Sequence, residues 1–154
     1  MTRRFLQVAA FVAAGVATVV AQTPSRTPVV EVVKTATCGC CSKWVDHMRA
    51  AGFTASVTDV EDAELQKYKQ THGVPEAAKS CHTARVGGYT IEGHVPASEV
   101  RRLLVERPKV VGLAVPGMPL GSPGMEVSRV KAHPYDVVAI DASGRTKVFS
   151  TIKP

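Results

Sequence analysis

The stretch "CGCCSKW", residues 38–44, places three of the chain's four cysteines within four positions, between a β-branched run and a helical pattern. The run, "VVEVVK" at 29–34, is bounded by threonine and proline and predicts a buried strand. Trp44, Val45, Met48 and Ala51 recur at helical spacing and Gly52 ends the pattern, so 41–51 predicts a helix. A strand that feeds a helix through thiols constrains the fold strongly. The first turn of a helix presents unpaired N–H groups and partial positive charge, which favour thiolate at Cys38 and Cys41.

The rest of the chain extends this alternation. "FTASVTDV" predicts a second strand and "DAELQKYKQTHG" a second helix ending at Gly73. "CHTARV" and "YTIEGHV" flank Gly87-Gly88 as a hairpin, with Cys81 opening its first strand. Pro96 and "ASEVRRLLVERP" predict a helix with Val100, Leu103 and Leu104 inward, closed by Pro108. Between Gly112 and Gly124, four glycines and three prolines predict a long structured loop, of a length that tends to be functional or disordered. "YDVVAIDASGRTKVFSTI" predicts a last hairpin around Ser143-Gly144. This order is that of a thioredoxin-like α/β domain, a mixed central sheet flanked by helices, with the C-terminal β-hairpin added.

The N-terminus carries a basic start, an apolar run over 5–20 and small residues at Val19 and Ala21, which together predict an export signal over 1–21. The run is short for a bilayer span and lacks a stop-transfer flank, so membrane contact is expected only through this segment before cleavage. "TRRFLQ" partly matches a twin-arginine signal, which leaves the general secretory and twin-arginine routes both open. Residues 22–28 read as a polar linker and 29–154 as one domain. The chain has 19 basic and 13 acidic residues; without Arg3 and Arg4, 17 basic remain and the net charge is +4. These charges are scattered and aromatics are few, so nucleic-acid binding gains no support. In an oxidising compartment the four thiols pair, bind metal or do redox chemistry.

Three clustered thiols fit a dithiol enzyme poorly, because Cys40 invites mispairing. They suit a soft cation. Cu(I) takes two or three thiolates or thioethers, whereas Zn(II) wants four ligands in a tetrahedron. Cys40 and Cys41 can share a polynuclear Cu(I)–thiolate cluster, and Cys81, beside the pair in such a fold, can supply a fourth sulfur. Met118 and Met125, seven residues apart around the Gly/Pro loop, offer thioethers, although methionine more often fills a core. His94, between a strand and a helix, can face the cluster. His82 is expected on the opposite face from Cys81, a core or surface residue. His47, His72 and His133 are expected on the surface, and Trp44 is expected to cover the site or the core. Two alternatives stay open on the residues alone: a thiol–disulfide oxidoreductase, and a module braced by zinc or by Cys38–Cys41 and Cys40–Cys81 disulfides.

The segments "CGCCSKW", "GVPEAAKSCHTARVGGYTIEGHVPA", "LLVERPKVVGLAVPGMPLGSPGME" and "YDVVAID" resemble bacterial exported CopG-like copper-resistance proteins. The resemblance implies a periplasmic thioredoxin-like protein that holds Cu(I) with Cys38, Cys40, Cys41 and Cys81. It also implies a part in copper handling or copper redox interconversion, alongside other periplasmic copper-handling proteins. Met118 and Met125 match the family's "GMP…GSPGME" segment. One departure from ordinary thioredoxins is the position of the nearest proline, Pro75, six residues before Cys81 rather than beside the dithiol.

Overall fold

The computed structural model describes residues 28–153; the expected export signal and most of the linker lie outside them. Seven strands and three α-helices form one mixed α/β unit: β1 Val30–Lys34, α1 Gly39–Ala50, β2 Ala55–Asp59, α2 Asp62–Thr71, β3 Thr83–Val86, β4 Tyr89–Glu92, α3 Ala97–Glu106, β5 Gly112–Ala114, β6 Tyr135–Ile140 and β7 Thr146–Ile152. The sheet order is β2-β1-β3-β4-β5-β6-β7. β1 pairs in parallel with β2 and antiparallel with β3, which turns back through Gly87-Gly88 into β4. The C-terminal hairpin β6–β7 extends the sheet beyond β5, as its two β-branched runs predict.

Alternation along the strands divides the sheet into two faces. On one, Val30 and Val32 of β1, Ala84 and Val86 of β3, Ile91 of β4 and Leu113 of β5 pack with Trp44, Val45 and Met48 of α1 and Val100 and Leu103 of α3. On the other, Thr83 of β3 and Glu92 of β4 stand opposite one another and meet Lys69 of α2. Thus α1 and α3 share a hydrophobic face, while α2 covers a buried polar one.

Three expectations change at their boundaries. The first helix begins at Gly39, two residues early, so Cys40 and Cys41 both lie in its first turn and Cys38 is its N-cap. The segment expected to be loop from Gly112 to Gly124 opens with a buried strand, β5, paired in parallel with β4. Three residues are too few to show alternation, and Gly112 is there for backbone approach: a Cβ on it would strike the backbone of Thr90. Cys81 does not open the third strand; it sits in a bend two residues before Thr83. The backbone therefore aims its side chain without the constraint of the pleat.

Candidate metal centre

The site is assembled from four chain segments. The first is the start of α1. Cys38 has an extended backbone and its side chain makes no capping bond to the helix, and no acid lies in the helix's first turn. Cys38 and Cys41 are joined as a disulfide, with Cα atoms 5.3 Å apart, while Cys40 and Cys81 are free and half-buried. The Sγ atoms of Cys38 and Cys40 are 3.6 Å apart. All four Sγ atoms lie within 4.8 Å of one another. Forty residues of sequence separate Cys81 from Cys41, and β3 lying beside β1 is what closes that gap.

The second segment is the bend carrying Cys81, and the third the bend after β4, which carries His94. His94 Nε2 is 2.9 Å from Cys81 Sγ, and its Nδ1 is 2.7 Å from the Pro123 carbonyl oxygen. A carbonyl only accepts, so Nδ1 carries the proton and the Nε2 lone pair faces the sulfur. Trp44 Nε1 donates to the Val95 carbonyl at 2.8 Å and holds the residue after His94 against α1. Burial pushes the Cys81 thiol up to about 12, with the charge of Cys40 adding to it. Metal-free, the pocket keeps that sulfur protonated; a cation would displace the proton.

The fourth segment is the Gly/Pro loop. Gly124, at φ +87°, lies flat on the first turn of α1, where a Cβ would come within 2.7 Å of the Cys40 carbonyl and 2.9 Å of the Trp44 nitrogen. Met125, half-buried, follows it directly, and Met118 is exposed beside Gly117, whose carbonyl accepts from Ser80 Oγ. The loop that carries both methionines thus touches the Cys81 bend through Gly117 and the first turn of α1 through Gly124.

His82 is the residue that the sequence placed least well. It is buried in the core, one of the two settings expected, with its ring centroid 4.5 Å from that of Trp44. Yet its Nδ1 is 3.4 Å from Cys81 Sγ, and Cys81, His82 and His94 form a second close group. Alternation failed here because Cys81 precedes the strand. His47, expected on the surface, is half-buried and accepts from the Ala97 N–H at the start of α3 at 3.1 Å.

Burial, with the nearby charges of His94, Lys69 and Lys34, holds His82 well below its ordinary value of 6.5. His82 Nε2 has no hydrogen-bond partner among the described residues. The native state therefore binds fewer protons than the unfolded chain below pH 6.5. The expected result is that stability is full above that pH and falls on acidification, by about 1.4 kcal/mol per pH unit from this group. Urea titrations from pH 7 to 5 check it; a flat profile would contradict the burial assignment.

Residues 78–125 match a family described as a protein of unknown function, DUF411. That span holds Cys81, His94, Met118 and Met125 but not the cysteines of α1. No curated protein matches the chain. A solved structure described as copper resistance protein CopG, form 2, is 41% identical with a TM-score of 0.75, covering 82% of this chain and 99% of its own. The form 1 structure is 39% identical, also with a TM-score of 0.75, covering 83% and 99%. With identity at that level over essentially the whole length of those relatives, and with the cysteine cluster in place, the chain belongs to the CopG family of copper-resistance proteins.

Proposed function

We propose that this protein is a periplasmic, thioredoxin-like copper carrier that sequesters or relays Cu(I) among Cys38, Cys40, Cys41 and Cys81. One observation carries the reading: four sulfurs from two distant parts of the chain lie within 4.8 Å of one another. Soft, deprotonable donors without a carboxylate among them select a soft monovalent ion over a hard one. His94 Nε2 supplies a nitrogen donor at the same sulfur, and Met118 and Met125 supply thioethers at the rim. Copper here is cargo, and its interconversion between oxidation states extends the same reading. The β2-β1-β3-β4 order, with α1 leaving β1 at the cysteines and α3 following β4, supports the thioredoxin-like assignment. The predicted export signal supports the compartment, with other periplasmic copper-handling proteins as partners. Among the described residues no helix is long and apolar enough to cross a membrane.

Anaerobically reduced protein loaded with Cu(I) tests the proposal by metal analysis and X-ray absorption. The expected result is copper in a sulfur-dominated shell, lost when Cys38 and Cys41 are both replaced by serine. Zinc retained at one equivalent, or copper binding indifferent to those substitutions, would overturn it. The Cys38–Cys41 disulfide at the helix start favours a second reading, a thiol–disulfide oxidoreductase. Brisk reduction of insulin by the metal-free protein would move that reading ahead.

A further inference from the structure

Directly behind the cluster, on the α2 face of the sheet, lies a charged pair that the copper reading does not use. Lys69 and Glu92 are 1% and 0% exposed, with Nζ and Oε1 2.6 Å apart. Such a pair is weak grounds for stability, since apolar residues of similar volume often serve as well or better. Its other bonds suggest a different use.

Glu92 Oε1 also accepts from the Ser80 backbone N–H at 2.7 Å, and Oε2 accepts from Thr83 Oγ1 at 2.6 Å. Lys69 Nζ is 3.1 Å from that same Thr83 hydroxyl. One carboxylate therefore grips the chain immediately before Cys81 and two residues after it. Ser80 in turn donates its hydroxyl to the Gly117 carbonyl, and the Gly117 N–H donates to the Lys79 carbonyl at 3.1 Å, which draws the Met118 loop onto the same bend. Gly93 leaves room for this: a Cβ there would fall on the Ser80 side chain and lie 2.8 Å from the Val115 carbonyl. Cys81 is outside any strand, so no sheet ladder holds it.

We propose that Glu92, braced by Lys69, is a positioning residue for Cys81: through Ser80 N–H and Thr83 Oγ1 it fixes the bend that presents the fourth sulfur to the cysteines of α1. The role deepens the copper reading and rests on it, since a fixed fourth sulfur matters only where four act together. Donor sets held by outer partners lose about 10–100-fold in metal affinity when those partners go.

The test uses the full chain carrying Lys69→Met with Glu92→Leu, which removes both buried charges together. Its first readout is metal-free: peptide-resolved alkylation of the reduced protein by iodoacetamide, comparing Cys81 with Cys40. Cys81 is expected to react about 10-fold faster than in the unaltered chain, the equivalent of one lost hydrogen bond to a charged group, with Cys40 unchanged and most of the melting temperature retained. A folded double variant with an unchanged Cys81 rate overturns the proposal. Should that variant fail to fold, Thr83→Val, which removes the hydroxyl donor alone, is expected to speed Cys81 in the same direction, and an unchanged rate there overturns it equally. The second readout is X-ray absorption of Cu(I)-loaded protein, where fewer sulfur neighbours per copper are expected. If the unaltered chain binds no copper the functional reading falls, while the alkylation rates still decide the positioning role.

Discussion

Cys40→Ser is expected to lower the affinity of the reduced protein for Cu(I) by at least about 100-fold, the upper end of what losing only an outer partner of a metal ligand costs. The change is small in every other respect. Cys40 is half-buried in the first turn of α1, a place where serine is well tolerated, and no core contact depends on it. Its sulfur, however, lies 3.6 Å from that of Cys38 and belongs to the four-sulfur group completed by Cys41 and Cys81. Removing it leaves the Cys38–Cys41 pair whole. A dithiol enzyme would keep its exchange rate, because one attacking and one resolving sulfur remain. A chain built to hold copper loses a donor that can bridge two ions. Competition with a Cu(I) chelator, run beside insulin reduction, separates these outcomes in one variant: unchanged copper affinity would sink the four-sulfur site.

Lys69→Met alone is expected to destabilise the fold by about 3–5 kcal/mol, because it strands a buried carboxylate without its counter-charge. That is a large part of the roughly 5–15 kcal/mol that holds an ordinary domain together, and it lowers the melting temperature by roughly 10–20 °C for a domain of this size. The deficit has a pH signature. Burial raises the Glu92 carboxyl above its ordinary value of 4.5, and Lys69 opposes that rise. With Lys69 gone, Glu92 retains its proton to higher pH in the native state than in the unfolded chain. The native state then binds more protons between those two values, so its stability falls as pH rises through them. Measured against the unaltered protein, which cancels the part of the His82 contribution that comes from burial, the loss is therefore smallest below pH 4.5 and grows towards neutrality. Adding Glu92→Leu is expected to recover most of it. Thermal melts of the three chains at pH 4 and pH 7 check both the size and the sign; equal deficits at the two pH values would count against an unpaired buried charge.

Much of the fold was legible because its elements announce themselves over short spans. Trp44, Val45 and Met48 mark α1 by a period that ignores everything outside one helix, and Gly87-Gly88 marks the β3–β4 turn through a requirement on two residues. β5 was missed for the opposite reason. Its three residues, Gly112–Ala114, are a strand only because β4 and β6 lie on either side to pair with them. The site divides in the same way. The crowding of Cys38, Cys40 and Cys41 needs no fold to be seen. His82 was misread because alternation holds within a strand, and Cys81 lies in the bend before one. Glu92 and Lys69 drew no notice because an acid in "YTIEG" and a lysine in "LQKYKQ" look like solvated side chains until the sheet and α2 bury them against each other.

The amino-acid order by itself determined which segments other than β5 are helix and strand, where three thiols meet a helix start, and which family the chain resembles; these follow from interactions among near neighbours. Tertiary structure alone decided that Cys81 joins the early cysteines and His94 joins Cys81, that Gly124 seats the methionine loop on α1, and that Glu92 grips the bend at Ser80. Those contacts depend on strand order and register, which bring together residues from 12 positions apart, as in Ser80 with Glu92, to 40 or more, as in Cys41 with Cys81 and Trp44 with Val95. Local periodicity carries no record of such distances.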